Sequence, residues 1–385
     1  MMRKWLFLLL AFSILCSAAG CGDDDRRPGT GVDAGEGFDA GGDVDATVAR
    51  DVGPRPDVVD PVCETVSAVA EPVPATLVFQ LDTSNSMNCA VSSPGCLTGD
   101  PTPAPDDSRW DVFAGELVSA LGALGDETEV GLMRFPASEA SCARDELAAP
   151  IASLADGRAA AIGTVEGITP NGFSTPTHDA VAFGFGRLRA SGAERPFLVL
   201  ATDGDARVCL GCDTACSFEA LDRDNDDLVD RVAGAAEEGI PTFVIGVPGS
   251  QGYRDVLSRL ATAAGTARPG CSDAGPTYCH YDLTDAGLDF GEALREVLGT
   301  IGEAVLPCEY DIPENPDGAF DPGRVNVRIR NADGSEETIP RDGDREAGWD
   351  YSDDMSRVEL YGTACEAARE AEALDILFGC PTVLI

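Results

Sequence analysis

Three oxygen-bearing side chains stand at alternate positions in "QLDTSNSM": Asp82, Ser84 and Ser86. They follow directly on the apolar run "ATLVF". In extended chain, alternate side chains point the same way, so these three can converge on one point. One carboxylate and two hydroxyls at a strand end form either a capped turn or part of an oxygen cage for a hard cation. Two later segments bear on that choice. "NGFSTPTHDA" puts Thr175 in a loop that leads into a helix, and "LATDGDA" puts Asp203 just past another apolar run. A turn cap explains any one of these loops. It does not explain all three delivering short oxygen side chains to one edge.

The elements that would position these residues are legible as alternating strand and helix patterns. Short, continuous apolar runs at 75–81, 130–135, 197–201 and 242–247, with a shorter one at 278–283, read as strands buried on both faces. Helical patterns lie between them, including "RWDVFAGELVSALGAL", "RAAAIGTVEGI", "HDAVAFGFGRLRA" and "LVDRVAGAAEEG". "YRDVLSRLATAAG" and "LDFGEALREVLGTIGEAVL" continue the series, and "CARDELAAPIASL" adds a short edge strand. The expected fold class is therefore α/β, an open, mostly parallel doubly wound sheet flanked by helices. Ligands in such sheets bind beyond the carboxyl ends of the strands, where the strand order reverses. Asp82, Thr175 and Asp203 all belong to that rim.

These residues carry a resemblance. The order D-x-S-x-S, then a threonine in "STPT", then an aspartate in "TDG", is similar to the metal-ion-dependent adhesion site of von Willebrand factor type A domains. The likeness covers roughly residues 75–305, with Phe173 and Ser174 standing where family members often carry glycine. It implies Mg²⁺, or Mn²⁺ or Ca²⁺, held by Asp82, Ser84, Ser86, Thr175 and Asp203. It also implies an open coordination position for an acidic residue of a protein partner. The alternatives are a metal-stabilised structural envelope protein without a discrete ligand, and a metal-dependent hydrolase. The hydrolase would need a general base, and only the ligand aspartates and Asp205 are near.

Composition narrows the function classes. The formal charge is -40 over 385 residues, which disfavours binding to nucleic acid or to an anionic membrane surface. Lys4 is the only lysine, and His178 and His280 are the only histidines. Schiff-base chemistry and base-activated nucleophiles therefore lack their usual parts, and the chain reads as a non-enzyme. His178 is expected to be a polar surface group opening a helix, and His280 a structural residue.

The chain ends divide into further regions. "MMRKWLFLLLAFSILCSAAGC" has a basic start, an apolar stretch and small residues, the pattern of a signal peptide over residues 1–20. Its "AAGC" ending resembles a bacterial lipobox, which implies lipidation at Cys21 and a bacterial cell-envelope location, with membrane contact through the lipid alone. A secreted protein is the alternative. Residues 21–62, rich in Asp, Gly and Pro, read as a disordered acidic linker. The sheet domain is expected over 63–306 and a small β-rich region over 307–385. In the latter, "RVNVRIRNADGSEETIP" alternates and turns like a hairpin.

Beyond Cys16 and Cys21, twelve cysteines remain: Cys63, Cys89, Cys96, Cys142, Cys209, Cys212, Cys216, Cys271, Cys279, Cys308, Cys365 and Cys380. An even number in an exported chain points to disulfides rather than to zinc at "CLGCDTAC". Cys89 with Cys96 and Cys271 with Cys279 are plausible local bridges, and Cys63 with Cys308 a longer one. Finally, "DRDNDDLVD" sets Asp222, Asp224, Asp226 and Asp230 at calcium-loop spacing, but without glycine at the sixth position or glutamate at the twelfth. An acidic helix start is the favoured reading there.

Overall fold

The structure is a computed structural model that describes residues 66–93, 96, 107–140, 142–204, 225–285, 287–315, 318 and 320–385. Its central feature is a sheet in the order β4-β3-β2-β5-β6-β7. The strands are β2 (Ala75–Asp82), β3 (Glu129–Phe135), β4 (Ala149–Ser153), β5 (Arg195–Thr202), β6 (Thr242–Gly246) and β7 (Tyr281–Asp282). All neighbours pair in parallel except β3 with β4, so the expected edge strand is antiparallel. β7 is shorter than the run that predicts it, because Cys279 is tied back to Cys271 just before it.

β2 explains its own unbroken apolar sequence. All eight of its residues are buried. Leu77, Phe79 and Leu81 enter one core with the inner faces of α1 (Arg109–Ala123), α2 (Leu154–Gly167) and α6 (Phe290–Ala304). Val78 enters the other, with α3 (Thr177–Ser191), α4 (Asp226–Glu237) and α5 (Arg254–Ala263). A strand covered on both faces needs apolar residues at odd and even positions alike. From β2 the chain passes through α1 to β3 on one side, then later returns to β5 on the other. The strand order therefore reverses between β2 and β5, which opens a crevice at their carboxyl ends.

The C-terminal region is antiparallel, as expected. β9 (Val325–Arg330) and β10 (Glu336–Ile339) form the hairpin around Asn331–Gly334. They join β13 (Ala373–Phe378) and β1 (Val66–Val69) in one sheet, and β8 (Glu309–Asp311), β12 (Arg357–Leu360) and β11 (Trp349–Tyr351) form another. Trp349, Ile376, Val325 and Val327 fill the core, which α7 (Gly362–Glu370) closes through Ala364 and Ala368. β1 lies inside the range expected for the parallel-sheet domain, yet it pairs with β13. Its four residues carry too little pattern to announce which sheet they would join. No described helix is long and apolar enough to cross a membrane.

The disulfides correct one expectation. Cys89 joins Cys96 and Cys271 joins Cys279. Cys308, however, bonds Cys365 at a Cα separation of 5.3 Å, so the expected Cys63–Cys308 bridge does not form. Cys308 directly precedes β8, and the start of α7 passes close enough to satisfy it locally. Cys142 and Cys380 are also disulfide-bonded. Cys21, Cys63, Cys209, Cys212 and Cys216 lie outside the described residues.

Candidate functional site

The strand-order reversal brings the predicted loops together. Asp82 ends β2 and is buried, with its Oδ1 accepting from the Ser84 backbone N–H at 2.9 Å. Its Oδ2 accepts from the Thr202 hydroxyl at 2.7 Å, across the β2–β5 seam. A 3-10 turn over Asn85–Asn88 then folds the chain so that the Ser84 and Ser86 hydroxyls lie 2.9 Å apart. Ser86 Oγ donates onward to Asp203 Oδ1 at 2.9 Å. The first and third motifs are thus in direct contact.

The second motif is held by backbone. The N–H groups of Asn171 and Gly172 both donate to Thr83 O at 3.1 Å, and Asn85 N–H donates to Gly172 O at 2.9 Å. That lattice carries the loop across to the β2 end. Thr175 is buried and packs on the turn after Asp203. A β-carbon at Gly204 would lie 2.8 Å from Thr175 Oγ1. Among the five, Ser86 is half-buried and the others are buried. Phe173, two residues before Thr175, is 67% exposed, an unusual degree for an aromatic ring.

Arg109, the first residue of α1, completes the site, and the motifs gave no sign of it. Its side chain and that of Asp203 are both fully buried, with Nη1 donating to Asp203 Oδ2 at 2.5 Å. A local signal did exist. A cation in the first turn of a helix opposes the helix dipole, so its presence there calls for a tertiary partner.

The electrostatics follow from this inventory. Asp82 and Asp203 are both buried, and Arg109 is the cation between α1 and the rim. Burial first, and then the nearby Asp203 charge, push the Asp82 carboxyl up from 3.8 to about 7. Burial also raises Asp203, and the Arg109 guanidinium opposes that rise without cancelling it. Among the described residues two buried carboxylates face one buried guanidinium, so with both ionised this set is one positive charge short. The donor set is small hydroxyls and carboxylates, which are hard oxygen donors, and it fits a Mg²⁺-like ion. Among the described residues no group of three or more His, Cys, Asp and Glu is placed to hold a metal, so a candidate cation site here depends on hydroxyls.

The other predicted residues lie elsewhere. Asp222, Asp224 and Asp205 fall outside the described residues. Asp226 opens α4 and pairs with Arg259, while Asp230 sits exposed one turn on. From Asp226 to Glu237 the segment is helix, in keeping with an acidic helix start. His178 is buried, contrary to its expected surface position, because α3 turns its first residues inward. Its Nε2 lies 3.3 Å from Asn225 Oδ1, and burial lowers its pKa. His280 is buried with Nδ1 2.9 Å from Ser258 Oγ, and burial depresses it to about 4.

No known family's sequence profile matches the chain, and no curated protein matches it. Solved structures of similar fold include the PilB minor pilin of Streptococcus sanguinis in its D319A form, at 19% identity and a TM-score of 0.41, covering 61% of this chain and 62% of the pilin. This chain therefore spans less than two thirds of the pilin's length. A von Willebrand factor type A protein of Catenulispora acidiphila is 14% identical with a TM-score of 0.40, over 83% of this chain and 61% of that one. Proximal thread matrix protein 1 of the mussel byssus, with a zinc-occupied MIDAS motif, is 14% identical with a TM-score of 0.37, over 64% and 50% of the two chains. Likeness this distant leaves function to the residues themselves.

Proposed function

We propose that this chain is a metal-dependent protein-binding module. In this reading Asp82, Ser84, Ser86, Thr175 and Asp203 hold Mg²⁺, or Mn²⁺ or Ca²⁺, at the carboxyl rim of the sheet. The bound cation supplies an oxygen-seeking positive centre, and an acidic residue of a protein partner occupies its open side. The observation that carries this reading is the charge deficit among the described residues, two buried carboxylates against one buried guanidinium, beside hydroxyls gathered from separate loops. In this reading the site serves docking rather than turnover, and the two described carboxylates act as fixed acceptors for Ser84, Thr202, Ser86 and Arg109. Exposed Phe173, its N–H bonded to Ala140 O at 2.9 Å, offers an apolar contact beside the acid-binding position. Lipidation at Cys21 would tether the module to a bacterial envelope through the acidic linker.

The test has two stages. Calorimetric titration with Mg²⁺ should show one site in the native chain and none in Asp82→Ala. A random peptide library screened in Mg²⁺ and in chelator should then yield Mg²⁺-dependent binders whose retention disappears when a single Glu or Asp is changed to its amide. Failure to bind Mg²⁺, or equal retention of acid and amide peptides, overturns the proposal.

A further inference from the structure

Arg109 sits in a socket built by several parts of the chain. Nη1 reaches Asp203 Oδ2 at 2.5 Å and Ser86 O at 3.3 Å. Nη2 donates to Ser93 O and Cys96 O, each at 3.2 Å. The loop that supplies those two carbonyls is closed by the Cys89–Cys96 disulfide. On the far side stands Gly249 with φ +122°, where a β-carbon would lie 2.4 Å from Nη1 and 2.9 Å from Asp203 O. Only glycine both adopts that backbone angle and leaves room for the guanidinium. A disulfide-closed loop, a left-handed glycine and a helix start thus all serve one buried charge.

That charge engages a single edge of Asp203. Oδ2 faces the guanidinium, while Oδ1 faces Ser86 and the predicted ligand cluster. We infer that Arg109 is a fixed internal counter-ion, a positioning residue that weakens the hold on a divalent cation and so keeps the loaded site positive toward an incoming carboxylate. This rests on the metal reading above. With Asp82 and Asp203 ionised, these described side chains sum to -1 with Arg109 in place and to -2 without it. A dication brings these to +1 and 0. The arginine therefore exchanges some metal affinity for attraction toward an anionic oxygen.

The experiment is Mn²⁺ titration followed by the electron paramagnetic resonance of the free ion, on full chains whose folding is checked by circular dichroism. The native chain should bind one Mn²⁺. Arg109→Met should bind it at least about tenfold more tightly, because a like charge near the ion is gone. Arg109→Lys, which keeps the charge and loses the carbonyl contacts, should stay within about threefold of the native affinity. Unchanged or weaker binding by folded Arg109→Met would make Arg109 merely structural and overturn the inference. Should Arg109→Met not fold, Arg109→Gln, whose amide is uncharged yet can still donate to Asp203 and the loop carbonyls, takes its place. Folded Arg109→Gln should bind Mn²⁺ at least about tenfold more tightly than the native chain, and equal or weaker affinity would overturn the inference. No Mn²⁺ binding by the native chain is a different failure, that of the metal reading itself.

Discussion

Under the proposed metal reading, Asp82 should make stability depend on pH and on divalent cations together. Its carboxyl is raised from 3.8 to about 7 by burial and by Asp203. In chelator between about pH 4 and pH 7, the folded chain keeps a proton there that the unfolded chain has already released. Raising the pH through this window therefore favours unfolding. At about 1.4 kcal/mol per pH unit, the rise corresponds to roughly 4 kcal/mol, present below pH 4 and fully lost above pH 7. A cation that binds the ionised carboxylate returns that stability at high pH and adds little at low pH. Mg²⁺ should accordingly stabilise the chain more at pH 8 than at pH 5, by up to roughly 3 kcal/mol at saturation, since about two pH units of the window lie above pH 5.

The comparison that isolates this effect is Asp82→Asn. An amide keeps one oxygen for the Ser84 N–H and presents its NH₂ to Thr202 Oγ, so the local hydrogen bonds survive in altered form. It cannot titrate. The net charge of -40 also destabilises the compact chain as pH rises, so only the difference between the two proteins is informative. Denaturant midpoints at pH 5, 6, 7 and 8, in chelator and in Mg²⁺, supply it. The native chain should lose stability relative to Asp82→Asn as pH rises in chelator, and Mg²⁺ should abolish that trend. Parallel curves in chelator, or equal Mg²⁺ stabilisation at pH 5 and pH 8, would refute the reasoning.

Three further outcomes are expected. His280, depressed by burial to about 4 against an ordinary 6.5, contributes stability that is present above pH 6.5 and lost as pH falls toward 4. Its loss is about 3 kcal/mol, so acid unfolding followed by tryptophan fluorescence should be shallower in His280→Asn than in the native chain over that range. Gly249→Ala forces a β-carbon against the Arg109 guanidinium at a left-handed backbone angle and should cost at least about 1–3 kcal/mol in denaturant stability, whereas Gly252→Ala, where a β-carbon meets nothing, should cost far less. For a partner peptide with net negative charge, stopped-flow association in Mg²⁺ should quicken as salt rises from 20 to about 300 mM, because screening removes repulsion from the acidic surface. A rate that falls with salt would contradict that picture.

The sheet was legible because a parallel strand covered on both faces has no polar positions to hide its pattern, as in "ATLVFQLD" and "RPFLVLAT". The rim motifs were legible because short oxygen side chains at strand ends have few other reasons to recur in three loops. What escaped notice depends on distant partners. β1 is four residues long and takes its identity from β13, some three hundred residues away. Cys308 could not be assigned a partner from spacing, since the packing of α7 decides it. His178 sits at a helix start, a place that reads as exposed, yet its surroundings bury it. Arg109 is the instructive case. No motif surrounds it, and only its poor fit to a helix N-terminus hinted at a buried anion nearby.

The reversal of strand order between β2 and β5 gives a physical account of why these features coincide. It places two strand ends side by side with no crossover helix between them, so Asp82 meets Thr202 and Ser86 meets Asp203. Neither aspartate is stable there alone, since burial raises both carboxyls. One fixed guanidinium relieves a single edge of Asp203 and leaves the rest of the deficit facing the loops. Were a second buried cation present among the described residues here, the set would be neutral and would have no need of a metal. Were none present, a dication would be neutralised on arrival and would offer little to an incoming carboxylate. An arrangement one charge short lies between these cases, and under the proposed reading it makes partner binding conditional on a bound divalent ion.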